Sequence, residues 1–140
     1  YPEGYFLDTG SDHFVIFVDD VMNYDVDGEG KKWRWAERFP KGTNVNFVEI
    51  APDEIKVRTY ERGVEAETFA CGTGVTASSI ASFVHGDEGF TTSGGRVRFE
   101  IQALGDYLAV DFLPLEGGMA FEDIWLTGPA TFVFETEVEL

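Results

Sequence analysis

The chain has 140 residues, of which 44% are hydrophobic and 15% aromatic, so one domain with a buried core is expected and intrinsic disorder is excluded. Its formal net charge of −16 disfavours nucleic acid and anionic membranes as partners, because both repel a polyanion. The acidity fits a solvated surface, or a protein adapted to a high-salt cytoplasm. The chain contains no apolar run of about 18 residues, and neither an initiator Met nor a signal peptide opens it, so we expect a cytoplasmic fragment or processed chain.

Most of the chain alternates between apolar and polar residues in short runs, which predicts strands. Turn residues separate these runs, beginning with Asp8-Thr9-Gly10-Ser11-Asp12, whose Gly and Asp favour a tight turn. A helix is predicted over 28–38, since Pro40 follows it and proline disrupts a helix interior. The predicted strands are 5–7, 13–18, 44–50, 55–61, 97–103, 107–112, 124–127 and 131–138.

A second helix is predicted over 74–84, and this segment contains no charged residue. A surface helix would carry a polar face, so this helix should be buried, with strands around it. At about 1.5 Å per residue it would be roughly 16 Å long, enough to thread a small barrel. The sequence therefore predicts one α+β domain over 1–140, a mostly antiparallel strand barrel wrapped around one buried central helix.

The lone cysteine, Cys71, comes just before that helix in the run Phe69-Ala70-Cys71-Gly72-Thr73-Gly74. Glycines let the backbone approach a ligand closely, and the first amides of a helix bind anions. The same helix start favours a thiolate. We therefore expect a reactive thiol beside an anion site, whereas the alternative is a buried structural cysteine. A single cysteine excludes an internal disulfide, and the chain has only two histidines, so no metal site is predicted.

Other polar residues have two interpretations on spacing alone. Arg62 would hold a substrate carboxylate in a bidentate pair, and Glu61 would exchange a proton with the thiol. Alternatively, they form a surface ion pair. His13 is either a packed side chain or a catalyst, and Asn44 and Asn46 would bind a polar ligand or shape a turn.

Four ordered motifs carry a resemblance over nearly the whole chain. They are "DTGSDHFVIFV", "PKGTNVNFVEI", "VRTYERGVEAETFACGTGVTAS" and "LTGPATFVFE". Together they closely resemble the C-terminal half of diaminopimelate epimerase, a family of two pseudo-symmetric domains that each wrap strands around a central helix. The resemblance implies a small-molecule substrate, no pyridoxal phosphate or other cofactor, no metal, and an N-terminal domain as the missing partner.

The family interconverts LL- and meso-diaminopimelate with two cysteines, one from each half. Cys71 matches the C-terminal cysteine. Glu61 matches the glutamate that pairs with it, and His13 matches the histidine that assists the other cysteine. The resemblance therefore implies an isomerase of lysine and peptidoglycan precursor biosynthesis, whose isolated C-terminal half is inactive.

The substrate-binding residues of the family also have matches. Arg62 matches the arginine that binds the distal carboxylate of the substrate. Asn44 matches a substrate-binding asparagine. Gly72 and Thr73 match residues whose amides hold the reacting carboxylate. Ser11 stands where many members have Asn, which weakens a contact with the substrate.

A second departure from the family lies next to His13. Asp12 stands where proline is common, so we expect an altered turn and an added negative charge near His13.

Two alternatives to this interpretation are kept. One is another cofactor-independent racemase of the same fold, such as a proline racemase-like protein, against which the "YERG" and "ACGTG" motifs argue. The other is a stand-alone amino-acid binding module with an anion site but no paired acid–base chemistry. We also expect weak self-association of the chain, because loss of the N-terminal half would expose apolar surface.

Overall fold

Strands in which apolar and polar residues alternate form one sheet in the computed structural model. The structure describes residues 4–68, 72–103, 106–115, 120–128 and 135–139. Within these residues the chain has a ten-stranded mixed sheet and two α-helices, which confirms the α+β class. Cys71 and positions 131–134 of the last predicted strand lie outside the described residues. The elements are β1 (Tyr5–Asp8), β2 (Asp12–Phe17), α1 (Val26–Arg34), β3 (Asn44–Ile50), β4 (Ile55–Glu61), β5 (Ala66–Thr68), α2 (Gly72–His85), β6 (Thr91–Ser93), β7 (Arg96–Ala103), β8 (Asp106–Pro114), β9 (Ala120–Thr127) and β10 (Glu135–Glu139).

The sheet has the order β1-β2-β3-β4-β7-β8-β9-β10, with β5 paired to β4 and β6 to β7. The described pairings are antiparallel except for β2–β3 and β4–β7, which confirms a mostly antiparallel sheet. Helices α1 and α2 lie in the two crossovers that these parallel pairs require. The sheet curls, since β1 contacts β10.

Helix α2 contributes buried residues to the main core. Its residues 74–82 are buried, and it contacts β1, β2, β3, β4, β7 and β8. The buried hydroxyls are satisfied within the helix, because Ser78 and Ser82 donate to the carbonyls of Gly74 and Ser78 at 2.8 Å. An uncharged polar helix is therefore stable inside this core. In the described part of the chain, no helix is both long and apolar enough to cross a membrane.

The first helix differs from the prediction at both ends. It begins at Val26 because the Asp25 carboxylate caps it, accepting from the Gly28 amide at 3.0 Å. It ends at Arg34, after which short turns bring Phe39 into a second core with Phe14. The prediction missed β5 and β6, since three residues are too few for an alternation to be recognised.

Candidate functional site

The register of three neighbouring strands places polar side chains together at the start of α2. In the parallel pair β2–β3, His13 lies opposite Asn44. In the antiparallel pair β3–β4, Asn46 lies opposite Thr59. His13, Asn44, Asn46 and Thr59 are polar, yet they are buried among apolar residues of the same strands. A buried polar group must find a hydrogen-bond partner, so their contacts define the site.

His13 is fully buried and connects the sheet to α2. Its Nδ1 lies 2.8 Å from Asn46 Nδ2, and its Nε2 lies 2.9 Å from Thr73 Oγ1 and 3.1 Å from Ser11 Oγ. The two hydroxyls are themselves 3.0 Å apart. Of the sequence-predicted residues, His13, Ser11 and Thr73 are therefore in direct contact with one another.

The environment of His13 keeps its ring neutral near pH 7. Burial lowers the pKa of His13 from 6.5 to about 4, with a further lowering by the Arg62 guanidinium. The Asp8 carboxylate opposes this shift and raises the pKa. Because the ring is uncharged, it acts as a hydrogen-bonding group and not as a positive charge.

Two further contacts fix the start of α2 against the sheet. The Thr9 hydroxyl donates to the Thr73 carbonyl at 2.7 Å. A Cβ at Gly74 would lie 2.6 Å from Asn46 Oδ1, closer than real Cβ contacts, and 3.1 Å from His13 Cε1, which is tighter than most of them. The second glycine of the "CGTG" run is thus required by close packing of the helix on His13 and Asn46.

Asn44 and Arg62 form the other side of the site. Asn44 Oδ1 accepts from the Arg62 backbone amide at 2.8 Å, and Asn44 Nδ2 donates to the Asp12 carbonyl at 3.0 Å. The Arg62 Nη1 donates to the carbonyls of Lys41 and Gly42 at 3.1 and 3.2 Å. Asn44 therefore ties the end of β4 to the start of β2 and orients the segment that carries Arg62.

Asp12 has a neighbour that the sequence does not indicate, the guanidinium of Arg62. Its carboxylate lies 3.7 Å from Arg62 Nη1, and the carboxylate that raises the pKa of His13 is Asp8. Arg62 is thus ion-paired with Asp12 in this structure. The side chain of Arg62 is 29% exposed, so an incoming carboxylate would compete with Asp12 for it.

Glu61 lies at the end of β4, where the chain turns into β5. Its Oε1 accepts from the Thr68 hydroxyl at 3.1 Å, and Glu61 is paired with Ala66 across the two strands. This hairpin leads directly to Cys71, which precedes the first residue of α2. The assignments of Glu61, Cys71 and Gly72 to catalysis and carboxylate binding stay predictions.

Sequence reasoning left Asn46 undecided and missed Thr9 and Thr59. The spacing Asn44-x-Asn46 places both amides on one face of β3, which is the signal that the sequence offers. The contact with Thr59 depends on the register of β3 with β4, which no local pattern specifies. Among the described residues, no group of three or more His, Cys, Asp or Glu side chains is arranged to hold a metal.

Comparison with known proteins identifies related sequences. A protein-family model described as "Diaminopimelate epimerase" matches residues 5–112. The chain is 43% identical over 135 residues to the diaminopimelate epimerase of Flavobacterium psychrophilum, covering 95% of this chain and 50% of that protein. It is 44% identical over 134 residues to that of Aquifex aeolicus, covering 94% and 44%. The chain thus spans about half the length of the curated relatives it matches.

A solved structure has a similar fold. The probable proline racemase from Agrobacterium radiobacter superposes with a TM-score of 0.56 at 13% identity, covering 87% of this chain and 40% of that one. At this identity the likeness shows the fold alone.

Proposed function

Because this chain belongs to the diaminopimelate epimerase family, we propose that it forms the C-terminal half of an enzyme that interconverts LL- and meso-diaminopimelate. One observation carries the proposal beyond family membership. Ser11, His13 and Thr73 contact one another at the start of α2, directly after Cys71 in the chain. These hydrogen-bonding residues meet two positions after Cys71 in the chain, which supports the proposal that Cys71 is an acid–base group.

The reaction moves a proton from one face of the α-carbon to the other. The Cys71 thiolate removes the α-proton, and the electron pair of the broken C–H bond delocalises into the adjacent carboxylate. A thiol of the N-terminal half then donates its proton to the opposite face. Cys71 ends as the thiol and its counterpart as the thiolate, so the reverse reaction uses the same groups with exchanged roles.

Two thiols suit this reaction because a rigid site cannot carry one group from one face to the other. The start of α2 supports the charge that develops, since the amides of Gly72 and Thr73 would hold the reacting carboxylate. Glu61 would exchange a proton with Cys71. His13, as a neutral hydrogen-bonding ring, would assist the other cysteine.

The remaining contacts would fix the substrate. Arg62 would bind the distal carboxylate after its ion pair with Asp12 is exchanged, and Asn44 and Ser11 would contact polar groups of the substrate. Holding the substrate at several points makes the proton transfer effectively unimolecular. No cofactor or metal is required in this scheme.

We also infer that the whole chain is one domain whose strands close into a barrel around α2. The contact between β1 and β10 supports closure, as do the contacts of α2 with six strands. In this arrangement the start of α2 would face the N-terminal half. The substrate would bind between the two halves, within reach of both cysteines.

The test joins the chain to the N-terminal half of a relative and measures conversion of LL- to meso-diaminopimelate. Cys71→Ala should abolish conversion and Glu61→Gln should lower it. Glu100→Gln is the matched control, because Glu100 is exposed on β7. Full activity of the Cys71→Ala protein would refute the proposal.

The isolated 140-residue chain provides a second arm of the test. It should show no turnover, since one thiol serves only one face of the α-carbon. Robust conversion by the chain alone would contradict the two-half mechanism. Binding of diaminopimelate by a joined protein that never converts it would instead favour an amino-acid binding module.

A further inference from the structure

A buried chain of hydrogen bonds runs from β4 to the start of α2. The Thr59 hydroxyl donates to Asn46 Oδ1 at 2.7 Å, and Asn46 Nδ2 lies 2.8 Å from His13 Nδ1. His13 Nε2 then reaches Thr73 Oγ1 at 2.9 Å. Thr59, Asn46 and His13 are 3%, 0% and 0% exposed, so water does not substitute for these contacts.

The chemistry of each partner gives the chain a direction. An amide nitrogen carries only hydrogens to donate, so His13 Nδ1 must offer its lone pair to Asn46. In a neutral imidazole the proton then resides on Nε2. That N–H points to Thr73 and Ser11, whose hydroxyl oxygens accept it. Every bond from Thr59 onward therefore donates toward α2.

We propose that Asn46, oriented by Thr59, is a positioning residue that holds His13 as the tautomer with its proton on Nε2. Ring donation polarises the hydroxyls of Ser11 and Thr73, and a hydroxyl that accepts one hydrogen bond donates another more strongly. Because the two hydroxyls also share a hydrogen bond at 3.0 Å, the pair has at most one further hydrogen to donate at the start of α2. If the chain acts as proposed above, that donor faces the carboxylate of the substrate.

The opposite orientation of the Asn46 amide defines what would refute this assignment. With the amide reversed, Oδ1 would face His13 and would require a proton on Nδ1. Nδ2 would then donate to the Thr59 hydroxyl, and Nε2 would carry a lone pair toward Thr73. The hydroxyl pair would donate to the ring instead of to a ligand. The two orientations thus differ in which ring nitrogen is protonated.

Nuclear magnetic resonance of the 140-residue chain with ¹⁵N-labelled histidine distinguishes the two orientations of the Asn46 amide. His85→Gln removes the second histidine signal, and His85 is exposed at the end of α2. At pH 7 we expect a protonated, pyrrole-type Nε2 and an unprotonated, pyridine-type Nδ1. A protonated Nδ1, with or without a proton on Nε2, would overturn the assignment.

Variants test the role of the two neighbours. Thr59→Val keeps the shape of the side chain but removes the hydroxyl, so the two ¹⁵N shifts of His13 should move toward each other as tautomers mix. Thr59→Ser should restore the original shifts. Asn46→Asp places a carboxylate beside Nδ1 and should protonate it. Unchanged shifts in Thr59→Val would refute the orienting role of Thr59, and the measurement on the unmodified chain decides the tautomer if a variant does not fold.

The test separates this inference from the proposed function. The tautomer is measured without substrate, whereas conversion is measured in the joined protein. An active joined protein with His13 protonated on Nδ1 would refute the inference alone. An inactive joined protein with the Nε2–H tautomer would refute the function alone.

Discussion

Acidification should destabilise the fold through His13. The pKa of His13 falls from 6.5 to about 4 on folding, chiefly because the ring is buried. Between these values the unfolded chain binds more protons than the folded one, so stability rises with pH across the window and is lost as pH falls through it. The contribution of His13 is therefore retained near pH 7 and lost progressively between about pH 6.5 and pH 4.

The size of this effect follows from linkage. A tenfold difference in proton affinity between the folded and unfolded states corresponds to about 1.4 kcal/mol. Most of the pH range from 7 to 5 lies inside the window, so protonation of His13 should cost about 2 kcal/mol over that range.

The assay is urea unfolding followed by tryptophan fluorescence at several pH values, for the unmodified chain and for His13→Gln. Glutamine keeps a nitrogen that can donate near the position of Nε2 but does not titrate. The variant should be less stable at pH 7, because it leaves the Asn46 amide without its acceptor. The stability gap between the two proteins should narrow by about 2 kcal/mol from pH 7 to pH 5.

Comparison with a variant is needed because the net charge of −16 becomes smaller on acidification, which relieves repulsion in both proteins. His85→Gln is the matched control, since it replaces the exposed histidine, which lies outside the site. A stability gap between the unmodified chain and His13→Gln that stays constant from pH 7 to pH 5 would refute the reasoning.

Three other predictions test the start of α2 and the surface. Gly74→Ala places a Cβ 2.6 Å from Asn46 Oδ1 and should lower the free energy of unfolding by about 1–3 kcal/mol; an unchanged urea midpoint would contradict the packing. Alkylation of Cys71 should have a pH midpoint below about 8.5, and a midpoint at or above that value would contradict a helix-start effect. Self-association should strengthen with salt as the charge of −16 is screened; a monomer at both low and high salt in sedimentation would show that no apolar face drives it.

The parts of the fold with strong local patterns could be predicted from the sequence. Strands β3 and β4 agree with their predicted bounds, because Pro52 lies in the turn between them and burial alternates along most of β4. The interior position of residues 74–82 follows from the lack of charge in that segment. These features depend on the composition of a segment and on its local sequence pattern.

Features that depend on tertiary contacts could not be predicted. Helix α1 ends at Arg34 because Phe39 packs on Phe14, and no local signal marks that end. The connection of Thr59, Asn46 and His13 requires the registers of β2 with β3 and of β3 with β4. The motifs indicate His13 and Thr73 as site residues. The hydrogen bond between His13 Nε2 and Thr73 Oγ1 depends on how the start of α2 packs on the sheet, which no motif specifies.

Exchange of the α-proton of diaminopimelate with deuterated water tests the central claim most directly. The chain should be assayed alone, joined to an N-terminal half, and joined with Cys71→Ala. We predict that the joined protein incorporates deuterium at the α-carbon together with inversion, and that neither the chain alone nor the Cys71→Ala protein inverts the centre. Inversion with deuterium incorporation in the absence of Cys71 would contradict the claim that this chain supplies one of the two acid–base groups.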